Sequence, residues 1–160
     1  MAKIKNRTNG KGFIVLISSV DDLKIFGIQP SETTKSFLYP PEVSEQRRVQ
    51  KFWPGKVSVV LESGSEDFCY LCPKDKTIAF RLPDKPELIE ILKQTGPLVA
   101  PSANPEGQPP AKNIAEAEKY FGSAVDFYED NGNLDSLPST LVRIVGDKVE
   151  VLRAGAVKIH

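Results

Sequence analysis

The chain has 160 residues, of which 40% are apolar, and its 21 basic and 21 acidic side chains cancel. That length suits a single domain over residues 1–160, and the apolar share supports a packed core and excludes a disordered chain. Zero net charge excludes a strongly basic, histone-like binder but leaves room for a local basic patch, and no apolar run reaches the ~18 residues of a membrane span.

In chain order, the start MAKIKNRTNGKG is basic and turn-rich. No apolar stretch with a small-residue cleavage site follows it, so the expectation is a cytoplasmic protein with no membrane partner. Gly12 to Ser18 is a short continuous apolar run, as in a buried strand. Asp21 to Phe26 predicts a short helix with Leu23 and Phe26 inward and Gly27 as its stop. Gln29 to Pro41, with its prolines and hydroxyls, reads as a loop, and Glu42 to Phe52 as a charged surface helix closed by Trp53-Pro54-Gly55. Val57 to Glu62 alternates as a strand, with Val57, Val59 and Leu61 on one face. Phe68 to Leu71 and Thr77 to Leu82 read as further strands.

Pro86 to Thr95 is an amphipathic helix closed by Gly96 and Pro97. Leu98 to Ala100 is a brief strand. Asn113 to Phe121 is a second helix, with Asn113 as cap and Glu116 at the capping-box position. Val125 to Tyr128 reads as a strand. Thr140 to Val145 and Val149 to Arg153 form a hairpin across Gly146-Asp147. Interleaved strands and helices predict an α+β fold, with helices packed on the faces of a mixed, twisted sheet.

Cys69 and Cys72 have CxxC spacing, but a structural zinc site needs four ligands and the only histidine is His160. If the segment is a strand, the two thiols point to opposite faces, so both read as ordinary reduced cysteines and no metal site is expected.

Four segments can carry chemistry. Lys5-Asn6-Arg7, if extended, places two cations on one side, which suits a polyphosphate or carboxylate; the alternative is a solvated basic terminus. In Gly96 to Pro110 a strand end runs into Ser102-Ala103-Asn104-Pro105. Pro105 biases Asn104 towards extended geometry, which sets a hydroxyl beside a carboxamide; a rigid turn with local hydrogen bonds is the equal alternative. Ser139-Thr140 leads into the hairpin and Arg153-Ala154-Gly155 leaves it, so hairpin geometry can bring two hydroxyls near a guanidinium. There is no glycine-rich phosphate loop, no GxGxxG and no internal histidine for a serine–histidine triad.

Taken together and in order, Lys5-x-Arg7, Trp53-Pro54-Gly55, Arg81-Leu82-Pro83, Ala100-Pro101-Ser102-Ala103-Asn104 with Gly107, Ser139-Thr140 and Arg153-Ala154-Gly155 resemble the YrdC/TsaC family across nearly the whole chain. The resemblance implies a threonylcarbamoyl-AMP synthase, a nucleotidyltransferase of tRNA processing that works in a concave, positively lined cleft. Its substrates would be ATP, L-threonine and bicarbonate. Lys5 and Arg7 would be catalytic, and Lys5, Arg7, Ser102 and Asn104 would handle the ATP phosphates and the threonine carboxylate. Ser139 and Arg153 would line the nucleotide side, with Arg81 near the cleft. Mg²⁺ would be held by the phosphates rather than by a carboxylate cage. tRNA or double-stranded RNA and tRNA-modification proteins are the implied partners, and a nucleotide- or RNA-binding module without turnover is the alternative function. Two departures stand out. The family carries a strand and helix with a Pro-Thr-Asp-Thr-like segment before its KxR, so with Lys5 so near the start that segment is expected to be absent. Lys56-Val57-Ser58 stands where the family usually shows Pro-Leu-Thr.

Overall fold

The computed structural model describes residues 3–5, 12–39, 52–71, 76–145 and 148–159. The chain divides into two compact units: Met1–Lys11 with Pro101–Ser136, and Gly12–Ala100 with Leu137–His160.

The larger unit is built on a six-stranded sheet. Its strands are β1 (Ile14–Leu16), β2 (Val57–Glu62), β3 (Thr77–Arg81), β4 (Leu98–Val99), β5 (Thr140–Val145) and β6 (Lys148–Arg153). Their order is β4-β1-β3-β2-β5-β6. β1 runs parallel to β3 and β2 parallel to β5, while the other pairs are antiparallel, so the sheet is mixed, as the interleaved pattern predicts. Register follows from which residues must be dry. The cross-strand row Val15, Phe80, Val59 and Val142 is almost wholly buried, and a slip of one residue in any strand would turn its buried set to the opposite face.

The elements that cover this row form where the sequence lets them. Val20–Phe26 is a 3₁₀ helix that buries Leu23 and Phe26 and stops at Gly27, whose φ of 68° suits a residue without a Cβ. Phe26 meets Phe80 edge-on with ring centroids 4.9 Å apart, and burial of each such ring contributes roughly 1.5–3 kcal/mol. Gly64 is needed next to this stop, because a Cβ on it would lie 2.1 Å from the Gly27 carbonyl oxygen. Helix α2 (Pro86–Thr95) starts on its proline and closes at Gly96, as its pattern predicts.

Three expectations are corrected. The stretch read as a loop over 29–41 contains helix α1 (Glu32–Leu38). Ser31 caps it by accepting from the Thr34 amide at 3.1 Å, and Pro30 precedes the cap instead of interrupting the helix. The stretch read as a strand from Phe68 is part of a 3₁₀ helix, Glu66–Leu71. There the Ser65 hydroxyl accepts from the Asp67 amide, and Phe68 packs on Phe26 at 4.5 Å. Cys72 lies outside the described residues, as do 42–51 of the predicted surface helix and the Gly146-Asp147 turn of the β5–β6 hairpin. Val125–Tyr128, read as a strand, forms none. It lies in the smaller unit, which offers no sheet to pair with among the described residues, and Phe127 is left 75% exposed.

The smaller unit holds helix α3 (Ile114–Phe121) and a 3₁₀ turn at Gly122–Ala124. Asn113 caps α3 by accepting from the Glu116 amide at 3.0 Å. The Glu116 carboxylate reaches back to the Lys112 amide at 2.9 Å, one residue before the cap.

Candidate functional site

In the smaller unit the polar residues of the Pro101–Pro110 loop gather on one lysine. Lys5 is only 4% exposed, which is rare for a lysine unless its ammonium is well bonded. Its Nζ donates to the Ser102 carbonyl, to the Asn104 carbonyl at 2.5 Å and to Asn104 Oδ1 at 3.3 Å. The Lys5 carbonyl in turn accepts from the Glu106 amide at 2.8 Å. The Ser102 hydroxyl donates to Asn104 Oδ1 at 2.5 Å, and Asn104 Nδ2 donates to the Gln108 carbonyl at 2.6 Å. Both ends of the carboxamide are thus oriented. Gly107, at φ 83°, makes the turn that brings the Gln108 carbonyl into place. Arg7 lies outside the described residues.

In the larger unit Ser58, Arg81 and Arg143 alternate with the buried row and so stand on the opposite sheet face. Register puts Ser58, Leu141 and Arg153 in one cross-strand row and Val60, Arg143 and Glu150 in the next. Arg81 shares this face, since it alternates with buried Phe80. Arg81 and Arg143 therefore rise from one side of the sheet, and Arg153 stands beyond a register shift between Leu141 and Val142. Arg153 Nη2 donates to the Ser139 carbonyl at 2.9 Å and to Ser139 Oγ at 3.4 Å. Ser139 Oγ lies 2.8 Å from Ser58 Oγ, both residues being buried. The neighbouring Thr140 hydroxyl donates to the Val157 carbonyl at 2.6 Å and accepts the Val157 amide at 3.1 Å, which folds the segment after β6 back onto the start of β5. A Cβ on Gly155 would stand 2.3 Å from the Pro138 carbonyl oxygen and 2.6 Å from Thr140 N, so the close approach needs glycine.

The Trp53-Pro54-Gly55 and Arg81-Leu82-Pro83 motifs brace each other. Arg81 Nε donates to the Gly55 carbonyl and the Gly55 amide to the Leu82 carbonyl, both at 2.8 Å. Trp53 Nε1 donates to the Val57 carbonyl at 2.8 Å. Burial holds the Arg81 pKa below the ordinary guanidinium value.

The structure thus joins Lys5 to Ser102 and Asn104, and Ser139 to Arg153. Reading by sequence missed Arg143; its alternation with Val142 and Ile144 in β5 was the available signal. It also noted Ser58 only as the residue that stands where the family usually shows threonine. A groove of about 790 Å³ between Gly27–Ser31 and the ends of β2 and β5 is lined by Glu62, Thr77 and Arg143, and by none of the predicted site residues. Among the described residues no group of three or more His, Cys, Asp or Glu side chains could hold a metal ion, and no helix is long and apolar enough to cross a membrane.

Known proteins share this fold. The threonylcarbamoyl-AMP synthase of Klebsiella pneumoniae subsp. pneumoniae is 30% identical over 125 residues, which cover 78% of this chain and 61% of that protein. The chain spans about three-fifths of the length of the curated relatives it matches. The crystal structure of P. abyssi Sua5 complexed with L-threonine superposes with a TM-score of 0.76 at 22% identity, over 96% of this chain and 43% of that one. E. coli YciO superposes with a TM-score of 0.75 at 20% identity, over 96% and 70%. The model of the Sua5/YciO/YrdC family, described as telomere recombination, matches residues 1–155. The chain belongs to the Sua5/YciO/YrdC family.

Proposed function

We propose that the protein is a threonylcarbamoyl-AMP synthase, which transfers AMP from ATP to the carbamate of L-threonine and bicarbonate for tRNA modification. The observation that carries this reading is the buried Lys5 ammonium, held on Ser102 and Asn104 from 97 and 99 residues away. A chain has little reason to bury a cation among carbonyl and amide oxygens unless the charge and the loop serve each other. The names of the curated relatives support the same reading.

In the proposed reaction the threonine nitrogen adds to the carbon of bicarbonate, water leaves and a carbamate forms. A carbamate oxygen then attacks the α-phosphorus of ATP, the Pα–O bond to the β-phosphate breaks, and pyrophosphate departs. No strong base is needed once the amine is neutral. The work lies in aligning the nucleophile and stabilising charge on the phosphates. Lys5, Arg7, Ser102 and Asn104 would hold phosphate and carboxylate oxygens, and Ser139 and Arg153 the nucleotide side. These residues are cations, hydroxyls and one carboxamide, with no carboxylate among them. They fit Mg²⁺ bound through the phosphates and water, not through a protein cage, and the ion would share the phosphate charge.

Chromatography with mass spectrometry of a reaction containing ATP, L-threonine and bicarbonate tests the product. Threonylcarbamoyl-AMP is expected; AMP or unchanged ATP alone would contradict the proposal.

A further inference from the structure

Ser58 is 0% exposed and Ser139 6%, and their hydroxyl oxygens lie 2.8 Å apart. At that distance one of the two donates to the other. Among the described residues the Ser58 hydroxyl has no second partner. If Ser139 donated, the Ser58 proton would be left in a dry site without an acceptor, which folded proteins avoid. Ser58 is therefore the donor. A hydroxyl offers one donor and two acceptor positions. Ser139 Oγ then accepts from Ser58 and, at 3.4 Å, from Arg153 Nη2. Both acceptor positions are used, and the Ser139 proton must point elsewhere.

We propose that Ser58 is a positioning residue that fixes Ser139 as a hydrogen-bond donor, so that Ser139 presents an O–H, not a lone pair, to an anionic oxygen of the bound ligand. This rests on the reading that Ser139 touches substrate. The oxygen belongs to a phosphate or to a carboxylate, so ATP and L-threonine are titrated separately.

The experiment compares the wild type with Ser58→Ala, Ser58→Thr, Ser58→Cys, Ser139→Ala and the Ser58→Ala/Ser139→Ala double variant by calorimetric titration. For the ligand that Ser139 touches, Ser58→Ala and Ser58→Cys are expected to weaken binding by about tenfold, the effect of a misdirected hydrogen bond to a charged group. Ser58→Thr keeps the hydroxyl and restores binding. In the Ser139→Ala background, Ser58→Ala adds no further loss, because its effect passes through Ser139. A merely structural Ser58 would lower the melting temperature and leave that coupling absent. Two results overturn the proposal alone: Ser139→Ala weakens binding while Ser58→Ala and Ser58→Cys do not, or the losses simply add. A wild type that binds neither ligand overturns the functional reading and this proposal with it.

Discussion

Asn104 braces the loop that carries it, and in the proposed reaction the same carboxamide would also meet a ligand. Its Oδ1 accepts from Ser102 and Lys5, and its Nδ2 donates to Gln108. Each such bond contributes about 1 kcal/mol net, and a chain of this size loses ~2–4 °C in melting temperature per kcal/mol. Asn104→Ala is therefore expected to lower the melting temperature by several degrees. It should also weaken ATP binding by at least tenfold, since the carboxamide and its 3.3 Å contact with the Lys5 ammonium are lost together, while the backbone carbonyls still hold Lys5. Scanning calorimetry and titration on the same samples check this, and full ATP affinity in the variant would make Asn104 a loop brace only. Lys5-x-Arg7 and Ser102-x-Asn104 were each legible as polar pairs from extended geometry. That they meet was not, because no local pattern reports a contact across 97 residues. Arg143 went unremarked for a related reason. In β5 it looks like an ordinary outward residue, and only register shows that it shares a face with Arg81.

At the scale of elements, strands and caps were easier to read than turns. β2 was found over its full length because Val57, Val59 and Leu61 keep a period of two, and α3 because Asn113 can cap it. Helix α1 was missed because the prolines around it were counted as breakers, although Pro30 stands before the Ser31 cap, where a proline does no harm. The segment from Phe68 was misread because aromatic residues favour strands until a tertiary partner, here Phe26, fixes another shape. The β5–β6 hairpin carries the clearest element-level prediction. Gly155→Ala forces a Cβ into the backbone of Pro138 and Ser139. It should destabilise the protein by about 1–3 kcal/mol, as overpacking does, and shift the return of Val157 onto Thr140. Denaturant unfolding measures the loss, and an unchanged midpoint would show that the segment after β6 can move aside.

For the whole molecule, zero net charge excluded a strongly basic binder, and the alternation of elements indicated a mixed sheet with helices. Strand order was not legible, because neither parallel pairing, β1 with β3 or β2 with β5, joins consecutive strands. Family membership came from the order of short motifs, and the structure explains several of them as braces. Trp53-Pro54-Gly55 and Arg81-Leu82-Pro83 bond to each other, and Gly155 permits a close backbone approach. The polar residues left over, Lys5, Ser102, Asn104, Ser139 and Arg153, are those the proposed chemistry uses. The most direct test of that chemistry is pyrophosphate release from ATP with L-threonine and bicarbonate, each omitted in turn. The account predicts release that requires all three; release that persists without L-threonine or bicarbonate, or no release with all three present, would contradict it.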